Sequence, residues 1–198
     1  TILNTVLLFF LLASSSQCKK NDLSGVNPTN INLVELKQTH LPLNGGVENP
    51  GILELKLAVT ADNKPLALNN IEISFSADSK FSGIESLSAK YSGVVKGADS
   101  NILFGASKSL KSKTSIKGNY NLGTGVHFLK FDMGMKANPD LLTHFRVEKI
   151  TLSFKNHQPI SVSPTDKYIF RPKMVLRAHG QDKTDTYRIP SLITTSKG

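Results

Sequence analysis

The sequence predicts an all-β protein, an antiparallel β-sandwich of the jelly-roll or lectin-like kind. Apolar and polar residues alternate over residues 53–59 and again over 71–75, which buries one face of each strand and exposes the other. Clusters of Gly, Asn, Ser and Lys, such as Gly118-Asn119, separate the candidate strands in the way that turns do. No amphipathic helix longer than about two turns stands out. Many short strands with regular turns favour a sandwich over residues 45–163.

The elements follow in chain order. Leu53, Leu55 and Leu57 form the inward face of one strand, and the turn-forming residues 62–65 precede the strand at 71–75. One short helix is expected at 138–142, capped by Asn138 and opened by Pro139. Two prolines between residues 158 and 165 indicate a last strand that runs into a linker. Further strands are expected at 88–91, 102–104, 126–133 and 145–154.

Composition fits a globular protein and excludes several classes of site. Of the 198 residues, 39% are hydrophobic and 20% charged, and a single cysteine rules out an internal disulfide framework or a multi-cysteine metal site. The net charge of +9 fits either an anionic partner or a soluble, lysine-rich surface. The positive charge is scattered along the sequence. Its densest group, Lys108, Lys111 and Lys113, has no interleaved aromatics, so nucleic acid is not expected as a partner.

The amino end has the features of an export segment. Residues 2–13 form an uncharged apolar run that is too short to span a membrane, and small residues follow it. Cys18 comes directly afterwards in an arrangement that resembles the bacterial lipobox, in which the cysteine is acylated. Gln17 departs from that pattern, so a plain secretory cleavage near residues 14–16 is the alternative. The chain opens with Thr1 and lacks the usual basic start, so we expect a truncated sequence.

This pattern predicts a signal peptide at residues 1–18, of lipoprotein type, and a polar tether at 19–44. The mature protein is expected outside the cytoplasm, at the cell surface, in the outer membrane or periplasm, or secreted. It would contact a membrane only through a lipid anchor.

Common catalytic motifs are absent. The five histidines do not fall in metal-binding spacings, and His127 is expected to be a packed or surface residue. The sequence has no serine-hydrolase elbow and no phosphate-binding glycine loop. Neither a metal nor an organic cofactor is expected.

The C-terminal segment carries the most specific motif. Pro190 removes a backbone donor, so its strand belongs at a sheet edge. The sequence Tyr187-Arg188-Ile189-Pro190 resembles the [FY]-R-I-P motif that opens the catalytic β-propeller of sialidases. The resemblance implies that Arg188 is one of three arginines that grip the carboxylate of sialic acid. A planar guanidinium can bind a carboxylate through two parallel N–H groups.

A second resemblance covers residues 49–163, which look like the β-sandwich domain that precedes the propeller in some bacterial sialidases. Together the two resemblances imply the N-terminal part of a bacterial exo-α-sialidase, which needs no metal. Such an enzyme releases terminal α-linked sialic acid from glycoproteins, gangliosides and oligosaccharides. The matching pieces are Lys64-Pro65-Leu66, Tyr91-Ser92-Gly93, Phe104-Gly105 and residues 125–132.

Residues 164–198 would then be a linker and the truncated start of the propeller, since one blade needs about 40–50 residues. The Asp boxes of the blades, the other two arginines, the acid/base Asp and the Tyr–Glu pair are absent. The chain by itself is therefore expected to be inactive.

Two other functions remain open. The sandwich could be a non-catalytic carbohydrate-binding module that stacks sugars on aromatic side chains, with Tyr91, Tyr120 and Phe81 as candidates by residue type. Alternatively, the chain could be a structural surface lipoprotein, in which Arg188 is an ordinary surface residue.

Overall fold

The computed structural model describes residues 31–60, 65–93 and 101–173, and all regular structure in these ranges is β. None of the described residues forms a helix that could cross a membrane. The strands are β1 Ile31–Gln38, β2 Leu43–Asn44, β3 Glu48–Val59, β4 Leu66–Phe75, β5 Ile84–Gly93, β6 Ile102–Ser107, β7 Lys113–Leu122, β8 Gly125–Met135, β9 Val147–Phe154, β10 Ile160–Val162 and β11 Pro172–Lys173.

Two antiparallel sheets form the sandwich, which confirms the predicted fold class. The five-stranded sheet has the order β1-β3-β8-β5-β6, and the four-stranded sheet has the order β10-β9-β4-β7. A short parallel pair, β2 with β11, stands apart from both. The chain changes sheet between β3 and β4, β4 and β5, β6 and β7, β7 and β8, and β8 and β9.

The core lies between the two sheets and is filled by alternate residues of each strand. Leu55 and Leu57 of β3 face Ile71 and Ile73 of β4 within one apolar cluster, and all four side chains are fully buried. Burying a side chain of this size contributes about 1.5–3 kcal/mol each. The apolar residues that alternate in the sequence of these strands are therefore the ones whose side chains are buried.

At one side of the sandwich, β6 at the edge of the five-stranded sheet lies against β7 at the edge of the four-stranded sheet, with almost no space between their backbones. A Cβ atom at Gly105 would lie 2.2 Å from the carbonyl oxygen of Lys117, and one at Gly118 would lie 2.3 Å from that of Phe104. Only glycine allows this approach, so the two glycines let the edges of the two sheets come into contact here.

The structure corrects three predictions. Gly118-Asn119, taken as a turn, lies inside β7, because glycine is needed there for the close approach to β6. The predicted tether at 19–44 is in part sheet, since β1 pairs with β3 and β2 with β11. Residues 138–142 form a turn and not a helix, in which the carboxylate of Asp140 accepts a hydrogen bond from the Leu142 backbone N–H at 2.9 Å.

The strands expected at 53–59, 71–75, 88–91, 102–104 and 126–133 are confirmed, and most of 145–154 is β9. The signal peptide, residues 19–30 of the tether and the start of the propeller lie outside the described residues.

Candidate functional site

The residues that the sequence singles out for chemistry are not among those described. Tyr187, Arg188, Ile189 and Pro190, and the predicted lipidation site Cys18, all lie outside them. Their roles stay predictions. The part of the structure that leads to the motif in sequence is the segment 164–173, here called the exit segment.

The exit segment is held tightly against the sandwich. Phe170 is fully buried and exchanges two backbone hydrogen bonds with Phe145, of 2.9 and 3.1 Å. The Leu43 backbone N–H donates to the carbonyl oxygen of Arg171 at 2.9 Å, next to the β2–β11 pair. These bonds fix the last described residues of the chain against the sandwich.

Four side chains form a cluster that fastens the exit segment to β1: Gln38, His40, Asp166 and Tyr168. Gln38 Nε2 donates to Asp166 Oδ1 and, at 3.2 Å, to its backbone carbonyl. Nε2 of His40 contacts the other carboxylate oxygen. The rings of His40 and Tyr168 stack with centroids 4.5 Å apart. Both carboxylate oxygens of Asp166 are thus engaged.

The chemistry of this cluster is that of a clamp. A histidine beside a carboxylate also occurs in nucleophilic active sites, but such a site needs a hydroxyl or thiol in contact with the ring. In the described part of the chain, His40 pairs with the Asp166 carboxylate and stacks on the Tyr168 ring, and no hydroxyl or thiol is hydrogen-bonded to it. This cluster was not predicted, because Gln38 and His40 fall in the segment that the sequence suggests is a tether. The alternation of Val34 and Leu36 with Glu35 and Lys37 was the available signal.

The aromatic residues considered for sugar stacking differ in exposure, and all three pack against other rings. Tyr91 is 6% exposed and lies against Tyr120 with ring centroids 4.1 Å apart, while Phe81 packs edge-on against Phe75. Burial, and then the hydrogen bond with Tyr120, raises the pKa of Tyr91 to about 12. Tyr91 is thus closed to a sugar ring, while Tyr120 and Phe81 are half-buried against the core.

His127 is a packed residue, one of the two environments expected for it. It is 3% exposed, its Nε2 lies 2.7 Å from the carbonyl oxygen of Gly123, and its Nδ1 lies 2.8 Å from the Tyr91 hydroxyl. Because a carbonyl oxygen can only accept, Nε2 donates, and a neutral ring then accepts at Nδ1 from Tyr91. Both ring nitrogens are used in packing, and neither is free for catalysis.

The outer face of the five-stranded sheet carries a shallow depression of about 120 Å³ over the ring of Phe128. Its rim is charged, and Lys56 pairs there with Glu35 at 3.4 Å. Phe128 is only 8% exposed, and the volume is below the about 300 Å³ of a small-molecule pocket. The depression is lined by Glu35, Lys37, Glu54, Lys56 and Phe128.

Beside it, Lys90 is tied to two carboxylates. Its Nζ lies 2.6 Å from Asp132 Oδ2 and 3.2 Å from Glu48 Oε2, and the hydrogen bond with Asp132 is the main cause of its raised pKa. Asp132 also accepts a hydrogen bond from the Gly51 backbone N–H at 2.7 Å. Within the described ranges, no group of three His, Cys, Asp or Glu residues could hold a metal ion.

Comparison with known proteins gives a structural match only. No family model matches the chain, and no curated protein matches it in sequence. Among solved structures, the Hadza microbial sialidase Hz136 aligns with 82% of this chain at a TM-score of 0.55 and 17% identity. The sandwich has a sialidase-like fold. The chain covers 36% of the length of that sialidase, so the likeness concerns one part of a longer protein.

A second solved structure, AvmM, which catalyzes macrocyclization in alchivemycin A biosynthesis, aligns with 75% of this chain and 92% of its own at 10% identity. Its TM-score of 0.37 is too low to indicate a common fold.

Proposed function

We propose that this chain is the N-terminal part of an exo-α-sialidase that hydrolyses terminal α-linked sialic acid from glycoconjugates. The observation that carries the proposal is the order of three features along the chain. A sandwich with a sialidase-like fold comes first, the anchored exit segment ends it, and the Tyr187–Pro190 motif follows after 13 intervening residues in the sequence.

In this proposal Arg188 binds the carboxylate of sialic acid through two parallel N–H donors and so positions the anomeric carbon for attack. Hydrolysis breaks the glycosidic bond and adds water across it, which requires an acid/base carboxyl group and a nucleophile. The resemblance assigns neither role to a residue of this sequence. We therefore expect the chain by itself to bind no more than weakly and to release no sialic acid.

The test is an assay of the longer gene product on a fluorogenic α-sialoside. We expect release of sialic acid, and Arg188→Lys should lower kcat/KM by roughly 30–1,000-fold, since a bidentate charged contact contributes about 2–4 kcal/mol. Arg171→Lys is the matched control, because Arg171 is exposed on the exit segment, and it should leave kcat/KM unchanged.

Two results would count against the proposal. If the longer product releases no sialic acid but the chain binds sialylated oligosaccharides, the carbohydrate-binding function takes its place. If neither activity is found, a structural surface protein remains. Unchanged kinetics in the Arg188→Lys variant of an active enzyme would remove Arg188 from the site.

We also propose export, with Cys18 as the acylated residue. Incorporation of a clickable palmitate analogue by the wild-type precursor, but not by Cys18→Ser, would support lipidation. Equal labelling of both proteins would contradict it.

A further inference from the structure

The outer face of the four-stranded sheet gathers lysines that are distant in sequence. Register places Lys113 of β7 beside Ser74 of β4, and Ser74 beside Lys149 of β9. Two residues further on, Ser115, Glu72 and Thr151 form the next row. A third row contains Lys117, Asn70 and Ser153. These nine residues are called the lysine face.

All nine side chains of the lysine face point away from the core, since the residues between them are buried. Thr114 and Ile116 of β7, and Ile71 and Ile73 of β4, are at most 2% exposed. The three lysines are exposed, and none of them forms an ion pair with another described residue. Glu72 is the only carboxylate among the nine, so the face is net positive.

The opposite outer face is built differently. On the five-stranded sheet, Lys56 pairs with Glu35 and Lys90 pairs with both Asp132 and Glu48. Those charges neutralise one another in place. The two outer faces of one sandwich thus differ, because the three lysines of the lysine face lack the ion pairs that Lys56 and Lys90 form on the other face.

The spacing of the lysines suits an extended, repeating anion. Lys113 and Lys117 are four residues apart on one strand, which is about 13–14 Å. Lys113 and Lys149 flank β4, so their backbones are about 9–10 Å apart. Flexible lysines act as point charges at these separations, and they require no single rigid anionic group.

The groups between the lysines favour a carbohydrate over a lipid surface. Ser115 donates to Asn70 Oδ1, and Thr151 bonds to the Ser161 hydroxyl, so these groups are already held in place at the surface. Their remaining donors and acceptors, together with the Ser153 hydroxyl, can bond to sugar hydroxyls. The face carries no large apolar side chain to enter a bilayer, because the exposed ones in the described ranges lie on loops, β6 or β8. They are Leu41, Val47, Ile102, Leu103, Val126, Leu141, Leu142 and Ile169.

We propose that the lysine face is a binding site for a polyanionic glycan, a polysaccharide chain that carries sulfate or carboxylate groups. The inference rests on the distribution of charge and not on the proposed sialidase activity. Binding is measured on the 198-residue chain and product release on the longer enzyme, so each proposal can fail alone.

The experiment measures the affinity of the chain for chondroitin sulfate by isothermal calorimetry, with neutral dextran as the uncharged control. Binding is expected at low salt and should be lost at about 1 M salt, where the Debye length falls to about 3 Å. The triple variant Lys113→Gln, Lys117→Gln, Lys149→Gln should bind about tenfold or more weakly, since three exposed charge contacts are removed. Glu72→Gln should bind more tightly.

The matched control is a triple variant with the same change in net charge elsewhere, Lys37→Gln, Lys130→Gln, Lys167→Gln. It should retain wild-type affinity, and urea unfolding should show that all variants are folded. Equal losses in the two triple variants would overturn the proposal, because net charge alone would then explain binding. No binding to chondroitin sulfate would also overturn it, as would preferential binding to phosphatidylglycerol vesicles or to duplex DNA at equal salt.

Discussion

The ring of Phe170 stacks on the ring of Phe145 with centroids 4.9 Å apart and an angle of 13° between their planes. Phe145 lies two residues before β9, and Phe170 lies two residues before β11. Both rings are fully buried, and Tyr168 packs edge-on against Phe170 at 4.9 Å. The exit segment is therefore part of the core and not a loose linker.

Phe170→Ala should lower the free energy of unfolding by about 3–5 kcal/mol, because it removes a fully buried aromatic ring and leaves a cavity. Urea unfolding followed by circular dichroism measures the change. Ile169→Ala is the control, since Ile169 is 37% exposed, and its cost should be clearly smaller. Similar costs for both variants would show that the exit segment is not anchored through Phe170.

Tyr91→Phe should destabilise the sandwich by about 1–3 kcal/mol at neutral pH, because buried Nδ1 of His127 loses the hydroxyl that bonds to it in the described structure. Tyr168→Phe is the matched control, as no hydrogen bond from its hydroxyl occurs in the described structure, and it should be close to neutral. Equal unfolding free energies for wild type and Tyr91→Phe would contradict the buried Tyr91–His127 bond.

Alkaline pH should weaken the fold through the same residue. The pKa of Tyr91 is raised from 10.0 to about 12, so the native state keeps a proton that the unfolded state loses. The free energy of unfolding then falls by up to about 1.4 kcal/mol per pH unit between these two values, and not below them. Tyrosinate absorbance should show one late-titrating group. Both effects should be absent from Tyr91→Phe.

Gly105→Ala should be strongly destabilising, because the added Cβ would lie 2.2 Å from the Lys117 carbonyl oxygen, a backbone atom that cannot move alone. Gly123→Ala is the control, since a Cβ there meets nothing within 4 Å. Thermal unfolding of both variants should show a large drop in Tm for the first only. An unchanged Tm in Gly105→Ala would mean that β6 and β7 are not in contact.

The sequence allowed the central strands to be predicted, because alternation over 53–59 and 71–75 directly reports burial on one face. The turn predicted at Gly118 was wrong, because glycine is needed there for a close approach between the two sheets. The lysine face could not be predicted either. Lys117 and Lys149 are far apart in the chain, and only the pairing of β7 and β9 with β4 brings them to one surface.

The parallel contact of β2 with β11 joins two points that are 129 residues apart, Leu43 and Pro172. A chain emerging from the ribosome makes its β2 early and then must wait for almost the whole domain to be synthesised before that contact can form. Completion of the sandwich is thus tied to delivery of the exit segment. A nascent chain stalled before residue 170 should remain protease-sensitive near Leu43, however well its two large sheets have already paired.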